Sequence, residues 1–192
     1  MFRDSGKIIV VDTELTCWEN DTPPECEERE IIQIGWCLLD MHTLQRSGIG
    51  QILVKPVRSN ISSYCTALTG ITPKMARSGV PFDAACKNLI KRTASKRRAW
   101  ASWGTGDRLY FERGCVLAGI EVPFCEAHLD IQMLLSLFLQ FPTNTGQRTA
   151  LTALKITEEG LAHHADADAW NAAAVMALIV NECRKGFASP KQ

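Results

Sequence analysis

Lys7-Ile8-Ile9-Val10-Val11-Asp12-Thr13-Glu14 is a run of four β-branched apolar residues that closes on two carboxylates spaced two apart. The apolar run predicts a buried strand. Side chains alternate across a strand, so Asp12 and Glu14 point to the same face. Two anions at the end of a buried strand repel one another, and each carries a desolvation cost, unless a cation or a proton lies between them. The pair also admits a plainer reading, as the solvated start of a loop, and what weighs against that reading lies elsewhere in the chain.

The first such segment is Gly160-Leu161-Ala162-His163-His164-Ala165-Asp166-Ala167-Asp168, which opens an alanine-rich stretch predicted to be helical to about Cys183. His163 and Asp168 are five residues apart, about 140° around a helix, so they converge only if His163 lies in the loop before it. Asp166 is the expected N-cap, which sets the helix boundary there. Asp168 then shares a face with Ala172, Val175 and Ile179, the side that packs on a sheet. A carboxylate on a packing face needs a partner, and a cation held by Asp12 and Glu14 would supply one. The second segment, Ala99-Trp100-Ala101-Ser102-Trp103-Gly104-Thr105-Gly106-Asp107, reads as strand, glycine-broken turn and helix start. Asp107 in that first turn is either a helix-capping residue or a fourth acid of the same set. Four carboxylates and one histidine together are a stronger signal than any member alone.

These residues carry a resemblance to a known family. The chain resembles the DEDDh branch of the 3′→5′ exonucleases, proofreading-type nucleases of RNase H-like fold, over nearly its whole length. Asp12 and Glu14 match the first motif, Asp107 the second, and His163 with Asp168 the third. Asp12-Thr-Glu-Leu-Thr-Cys-Trp-Glu19, Glu30-Ile-Ile-Gln-Ile-Gly35 and Tyr64-Cys-Thr-Ala-Leu-Thr-Gly-Ile-Thr72 are similar to the exoribonucleases that trim small-RNA duplex ends and histone-message stem-loops.

The resemblance implies hydrolysis at 3′ ends, RNA favoured over DNA, with release of nucleoside 5′-monophosphates by a two-metal mechanism. Acidic oxygen ligands suit Mg²⁺ or Mn²⁺ better than zinc. By the family pattern, Asp12 would bridge two ions, Glu14 and Asp168 would hold the first, and Asp107 would act directly or through water; Glu14 would also meet the terminal 3′-hydroxyl. His163 is the expected general base, since imidazole titrates near neutrality. Its neighbour His164 competes for that role, but only His163 has the family's spacing to Asp168. Leu15 and Thr16 fall where the family places the terminal nucleotide, and Trp18 either stacks on a base or caps the edge of the core. Capping is expected of Asp130 as well as Asp166, while His42 and His128 are expected at the surface or in the core. Three other functions use the same residues: a non-catalytic nucleic-acid-binding or regulatory protein on this fold, a DNA-directed exonuclease, and an endonuclease or other phosphoesterase.

Composition sets the outer bounds. A chain of 192 residues with 46% hydrophobic content is sufficient for one domain, here expected over 1–187 with a polar tail at 188–192. No apolar run approaches the ~20 residues that span a bilayer, and Met1–Lys7 lacks the layout of a signal peptide, so a cytoplasmic protein without a membrane partner is expected. The 8 cysteines include no Cys-x2-Cys pair, which predicts reduced, mostly buried thiols. Lys plus Arg equals Asp plus Glu at 21 each, so net charge does not identify a partner. Distribution is more informative: a basic run spans Lys87, Lys91, Arg92, Lys96, Arg97 and Arg98, whereas Glu19, Asp21, Glu25, Glu27, Glu28 and Glu30 load one loop with negative charge. The basic run is either a solvated helix face or a guide for phosphates. Protein partners are not specified by these residues, and either a monomer or a homodimer is compatible with them.

Strands are expected near 7–12, 30–40, 48–54, 98–103 and 123–125. Helices are expected near 62–68, after Thr72-Pro73, over 82–94, from Asp107 to Ala118, over 131–140 and through the alanine-rich segment. This order predicts an α/β fold with a mixed sheet of about five strands covered by helices on both faces, and by the resemblance an RNase H-like one.

Overall fold

β1 (Lys7–Leu15) becomes the middle of a sheet because it is apolar on both faces: Ile8 and Val10 enter one core and Ile9 and Val11 another. The computed structural model describes residues 6–187, so the polar tail expected at 188–192 lies outside the described residues. β1 pairs antiparallel with β2 (Ile31–Asp40), which pairs antiparallel with β3 (Arg46–Leu53). On its other side β1 runs parallel to β4 (Trp100–Ser102), which is followed by the parallel β5 (His128–Asp130). The result is a mixed five-stranded sheet in the order β3-β2-β1-β4-β5.

Helices cover both faces, as the strand–helix alternation predicts. α5 (Ile131–Leu139), α6 (Gln147–Ala153) and α7 (Ala165–Phe187) pack on the Ile8 and Val10 side, where Ala172, Val175 and Ile179 are each at most 2% exposed. α3 (Phe82–Thr93) and α4 (Gly106–Ala118) pack on the Ile9 and Val11 side through Ala85, Leu89 and Phe111. α1 (Ser63–Thr69) and α2 (Pro73–Ser78) close a third, smaller core with Cys17, Ile32 and Ile71. Ser62 and Thr72 cap these two helices by accepting from the backbone N–H groups of Cys65 and Met75.

Three expectations are corrected. The last strand is His128–Asp130 rather than 123–125, because Phe124 stacks on Trp100 at 4.0 Å and meets Phe111 edge-on, making that segment a packed connector. α6 was not expected: its seven residues, preceded by Gly146, are too few and too polar to show helical periodicity. α7 begins at Ala165, so Asp166 lies inside its first turn and is not the N-cap. Asp130 does cap α5, accepting from the backbone N–H of Met133 at 3.0 Å.

Candidate active site

β1 continues past its apolar run through Asp12 and Glu14, and its regular register with β2 ends in a bulge between Glu14 and Leu15. Asp12 stands opposite Gly35 and Glu14 opposite Gln33 on β2. Both β2 residues shape the site. A Cβ on Gly35 would lie 1.9 Å from the backbone carbon of Ala165, so only glycine lets the start of α7 rest on the sheet beside the acidic pair. Gln33 is buried; its Oε1 accepts from the backbone N–H of Ala165 at 2.9 Å, and its Nε2 donates to Gln51 Oε1. The helix therefore receives its N-terminal cap from the sheet, which explains why Asp166 is not needed for that purpose. Neither Gly35 nor Gln33 was singled out as a functional position by sequence reasoning; the available signal was a glycine interrupting an otherwise bulky strand.

Asp107 approaches from the other side of β1. The hydroxyl of Thr13, between the two acids, donates to Asp107 Oδ1 at 2.6 Å. Asp107 lies in the first turn of α4 and is 8% exposed, while Thr105 holds the N-cap position. Its side-chain partner is thus on β1.

The two histidines diverge. His163 adopts φ 58°, a left-handed conformation uncommon outside glycine, at the turn into α7. One ligand atom each from Glu14, His163 and Asp168 lies within 4.8 Å of the others. His164 turns away toward Gly70. Its carbonyl accepts from the N–H of Asp168 at 2.9 Å, and the carbonyl of Asp168 accepts from Gln147 Nε2 at 2.7 Å, which ties α6 to α7. Asp12, Glu14, His163 and Asp168 open onto a cleft of about 390 Å³ whose far wall includes Trp103, Arg148 and Glu158.

Leu15, Thr16 and Trp18 are not among the residues that line this cleft. Leu15 packs against the α3–α4 core. Thr16 is fully buried, and its hydroxyl donates to the carbonyl of Glu28 and accepts from the N–H of Glu30, so that hydroxyl is committed to the fold. Trp18 is half-buried.

The electrostatics ask for a cation. Burial raises the pKa of Asp12 well above the carboxylate range, and Asp107, Asp168 and Glu14 push it further. Glu14 is pushed up to about 8 by burial and then by Asp168 and Asp107. Asp107 rises to about 6 through burial, against the opposing hydrogen bond from Thr13. Asp168 is also raised, again mainly by burial, with His163 pulling the other way. Four buried or half-buried carboxylates with one imidazole beside them form a hard, oxygen-rich donor set. These residues fit a hard divalent cation.

Several acids of the loop ahead of β2 are engaged by the segment after β3 and by α4. Glu28 pairs with Arg58 at 2.8 Å and with Arg113. The Glu30 carboxylate accepts from the backbone N–H groups of Val57, Arg58 and Ser59, and Glu27 accepts from Asn60 Nδ2. In the basic run, Lys87 pairs with Asp83 and Lys96 with Glu121. His42 is exposed, while His128 packs on Trp100 and bonds Ser102 at 2.9 Å. All 8 cysteines are free thiols and Cys17, Cys37, Cys65, Cys86 and Cys115 are buried. No helix among the described residues is long and apolar enough to cross a membrane.

A protein-family model described as Exonuclease matches residues 9–97, a span that takes in Asp12, Glu14 and Gly35. The chain is similar to the 3′-5′ exonuclease Snipper of Drosophila melanogaster, 29% identical over 91% of this chain and 69% of that protein. It is also similar to 3′-5′ exoribonuclease 1 of Homo sapiens, 27% identical over 94% of this chain and 55% of that protein, so it spans about half the length of this relative. Among solved structures, the nuclease domain of 3′hExo, a DEDDh family member bound to rAMP, matches with a TM-score of 0.84 and 25% identity, covering 95% of each chain.

Proposed function

We propose that the chain is a DEDDh 3′→5′ exonuclease, a metal-dependent hydrolase that removes nucleoside 5′-monophosphates from the 3′ ends of RNA; its likeness to an exonuclease family model, to Snipper and to the 3′hExo nuclease domain supports this reading. The observation that carries this reading is the convergence of Glu14 from β1 and Asp168 from α7 with His163, with Asp12 lining the same cleft and Asp107 hydrogen-bonded to Thr13 between the two β1 acids. RNA is favoured because similar proteins are named exoribonucleases and one was solved with a ribonucleotide bound.

Asp12, Glu14, Asp107 and Asp168 are the residues that would hold two Mg²⁺ or Mn²⁺ ions. Such ions lower the pKa of an attacking water and neutralise charge developing on the scissile phosphate. His163 is assigned as the base that takes the proton of that water: its ring is beside Glu14 and Asp168, and it is exposed to the cleft. Gln33 and Gly35 seat the start of α7 on β2 at Ala165, three residues before Asp168, which supports a preorganised site. Thr13 fixes the carboxylate of Asp107 by hydrogen bonding. Leu15, Thr16 and Trp18 are proposed to border the terminal nucleotide through the backbone and the exposed faces of that segment.

We place the enzyme in the cytoplasm, whose reducing conditions suit its free thiols, and read residues 1–187 as one exonuclease domain built on one sheet. The test is product analysis with matched 5′-labelled RNA and DNA single strands, in Mg²⁺, in Mn²⁺ and with chelator, beside Asp12→Ala. A metal-dependent ladder shortening from the 3′ end, faster on RNA and missing in the variant, supports the reading. Internal cleavage of a 3′-blocked strand, or full activity in Asp12→Ala, overturns it.

A further inference from the structure

The cleft wall carries the carboxylates of Asp12, Glu14, Glu158 and Asp168, and among the described residues Arg148 is its only lysine or arginine. A substrate strand presents phosphates upstream of the bond being cut, and a lysine or arginine is a common contact for such a phosphate. Arg148 is the cation at hand.

Its present partner does not explain its position. Arg148 meets Glu158 through Nε at 3.2 and 3.4 Å and through Nη2 at 3.2 Å. These distances are longer than the ~2.7–2.9 Å usual for charge-assisted bonds. The arginine side chain is 66% exposed, and pairs of that kind contribute little to stability. Arg148 also lies in the first turn of α6, the end at which a helix dipole disfavours cations. The backbone beside the acid, by contrast, is held. Its neighbour Glu159 is pinned by the buried Asn171, which accepts from the Glu159 N–H and donates to the Glu159 carbonyl, each at 3.0 Å. An acid next to a held backbone thus pairs with an exposed guanidinium at the mouth of an acidic cleft, and the fork of that guanidinium matches two phosphate oxygens.

We propose that Arg148 binds a phosphodiester of the substrate strand upstream of the scissile bond, and that Glu158 holds the arginine at the cleft rim until that phosphate displaces it. This proposal rests on the exonuclease reading and adds a backbone-binding residue to it. Glu158 also keeps an unoccupied cleft from presenting a free cation to unrelated anions.

The test uses the whole chain with short 5′-labelled single-stranded RNA, carrying either all normal linkages or one neutral methylphosphonate moved stepwise upstream from the 3′ end. Arg148→Ala is expected to raise KM about tenfold with kcat little changed, and Arg148→Lys to recover part of the loss, since the charge remains and the fork does not. One methylphosphonate position should impair the unaltered protein and have no further effect in Arg148→Ala. Fluorescence anisotropy of the same RNA in Ca²⁺ reads the contact without turnover. There Arg148→Ala should weaken binding about tenfold and reduce the slope of log Kd against log salt by about 0.7. Glu158→Gln, which removes the competitor and keeps the shape, should tighten it. Unchanged affinity in Arg148→Ala, or a methylphosphonate penalty equal in both proteins, overturns the proposal. Absence of hydrolysis with an Arg148-dependent affinity would instead overturn the exonuclease reading and leave the binding role standing.

Discussion

Asp12→Asn separates the two consequences of burying a carboxylate among carboxylates. The amide keeps the shape and loses the charge, so hydrolysis should fall to background because an anionic ligand is gone. The same change relieves repulsion from Asp107, Asp168 and Glu14, so the chelated variant should melt at a higher temperature than the chelated unaltered protein. A variant that is inactive because it is misfolded would melt lower, and thermal melts in chelator distinguish the two. The histidines make a second pair of expectations. His163→Ala should lower kcat about 10²–10⁴-fold, the usual span for a lost general base. His164→Ala, whose ring faces Gly70, should leave kcat nearly unchanged; comparable losses in both would remove His163 from its assigned role. At this scale much was legible in the sequence. The spacing of two between Asp12 and Glu14 has one geometric meaning on a strand, and the spacing of five from His163 to Asp168 lets the two converge only with the histidine ahead of the helix, which is where it lies. What was not legible is which side chains occupy themselves elsewhere: the Thr16 hydroxyl is held by the backbone of Glu28 and Glu30, contacts that leave no local trace.

The seating of α7 on β2 is the element-scale event on which the site depends. A methyl group at Gly35 meets the backbone of Ala165 and Asp166, not a side chain that can rotate aside. Gly35→Ala should therefore cost ~3 kcal/mol or more, as overpacking against rigid backbone does, and should remove activity by lifting Asp168 off β1. Gln33→Leu leaves the N–H of Ala165 buried without an acceptor, an expected loss of ~1–3 kcal/mol, whereas Gln33→Glu keeps the acceptor and should recover part of it. Chemical denaturation of the three variants checks the order; equal stability of Gly35→Ala and the unaltered protein would mean that α7 is not seated as described. The same contact shows why the helix start was misjudged from sequence. Asp166 has the chemistry of a cap, but the acceptor comes from Gln33, 132 residues away. α6 was missed for a related reason, being short and stabilised by packing of Ala150 and Leu151 rather than by its own pattern. The longer elements were read correctly because their periodic apolar faces are long enough to be unambiguous.

For the whole molecule, the acidic set couples folding to pH and to metal. Glu14 titrates near 4.5 as an ordinary side chain and near 8 in the folded protein, and Asp12 is raised as well, in both cases chiefly by burial. A raised carboxylate pKa means that the folded state binds more protons than the unfolded one across that window. Its stabilising contribution is complete below the unfolded pKa and is lost as pH rises through the folded value. Without metal the protein should therefore lose stability between about pH 4.5 and pH 8, by an amount on the order of a few kcal/mol for a shift of this size. His128 works in the opposite direction: burial depresses its pKa, so it favours folding as pH rises through the ordinary histidine range. Comparing the unaltered protein with Asp12→Asn cancels that contribution, since His128 is the same in both. A divalent ion binds only the ionised carboxylates, so its stabilising effect should grow over the same window in which the metal-free protein weakens. Thermal melts at stepped pH, with chelator and with Mg²⁺, should show the unaltered protein falling with pH in chelator, the variant falling less, and Mg²⁺ flattening the first curve while barely moving the second. A parallel pH slope for both proteins in chelator would show that the carboxylates are not paired as closely as their packing on β1, α4 and α7 requires, because nothing else in the substitution changes the protons bound on folding.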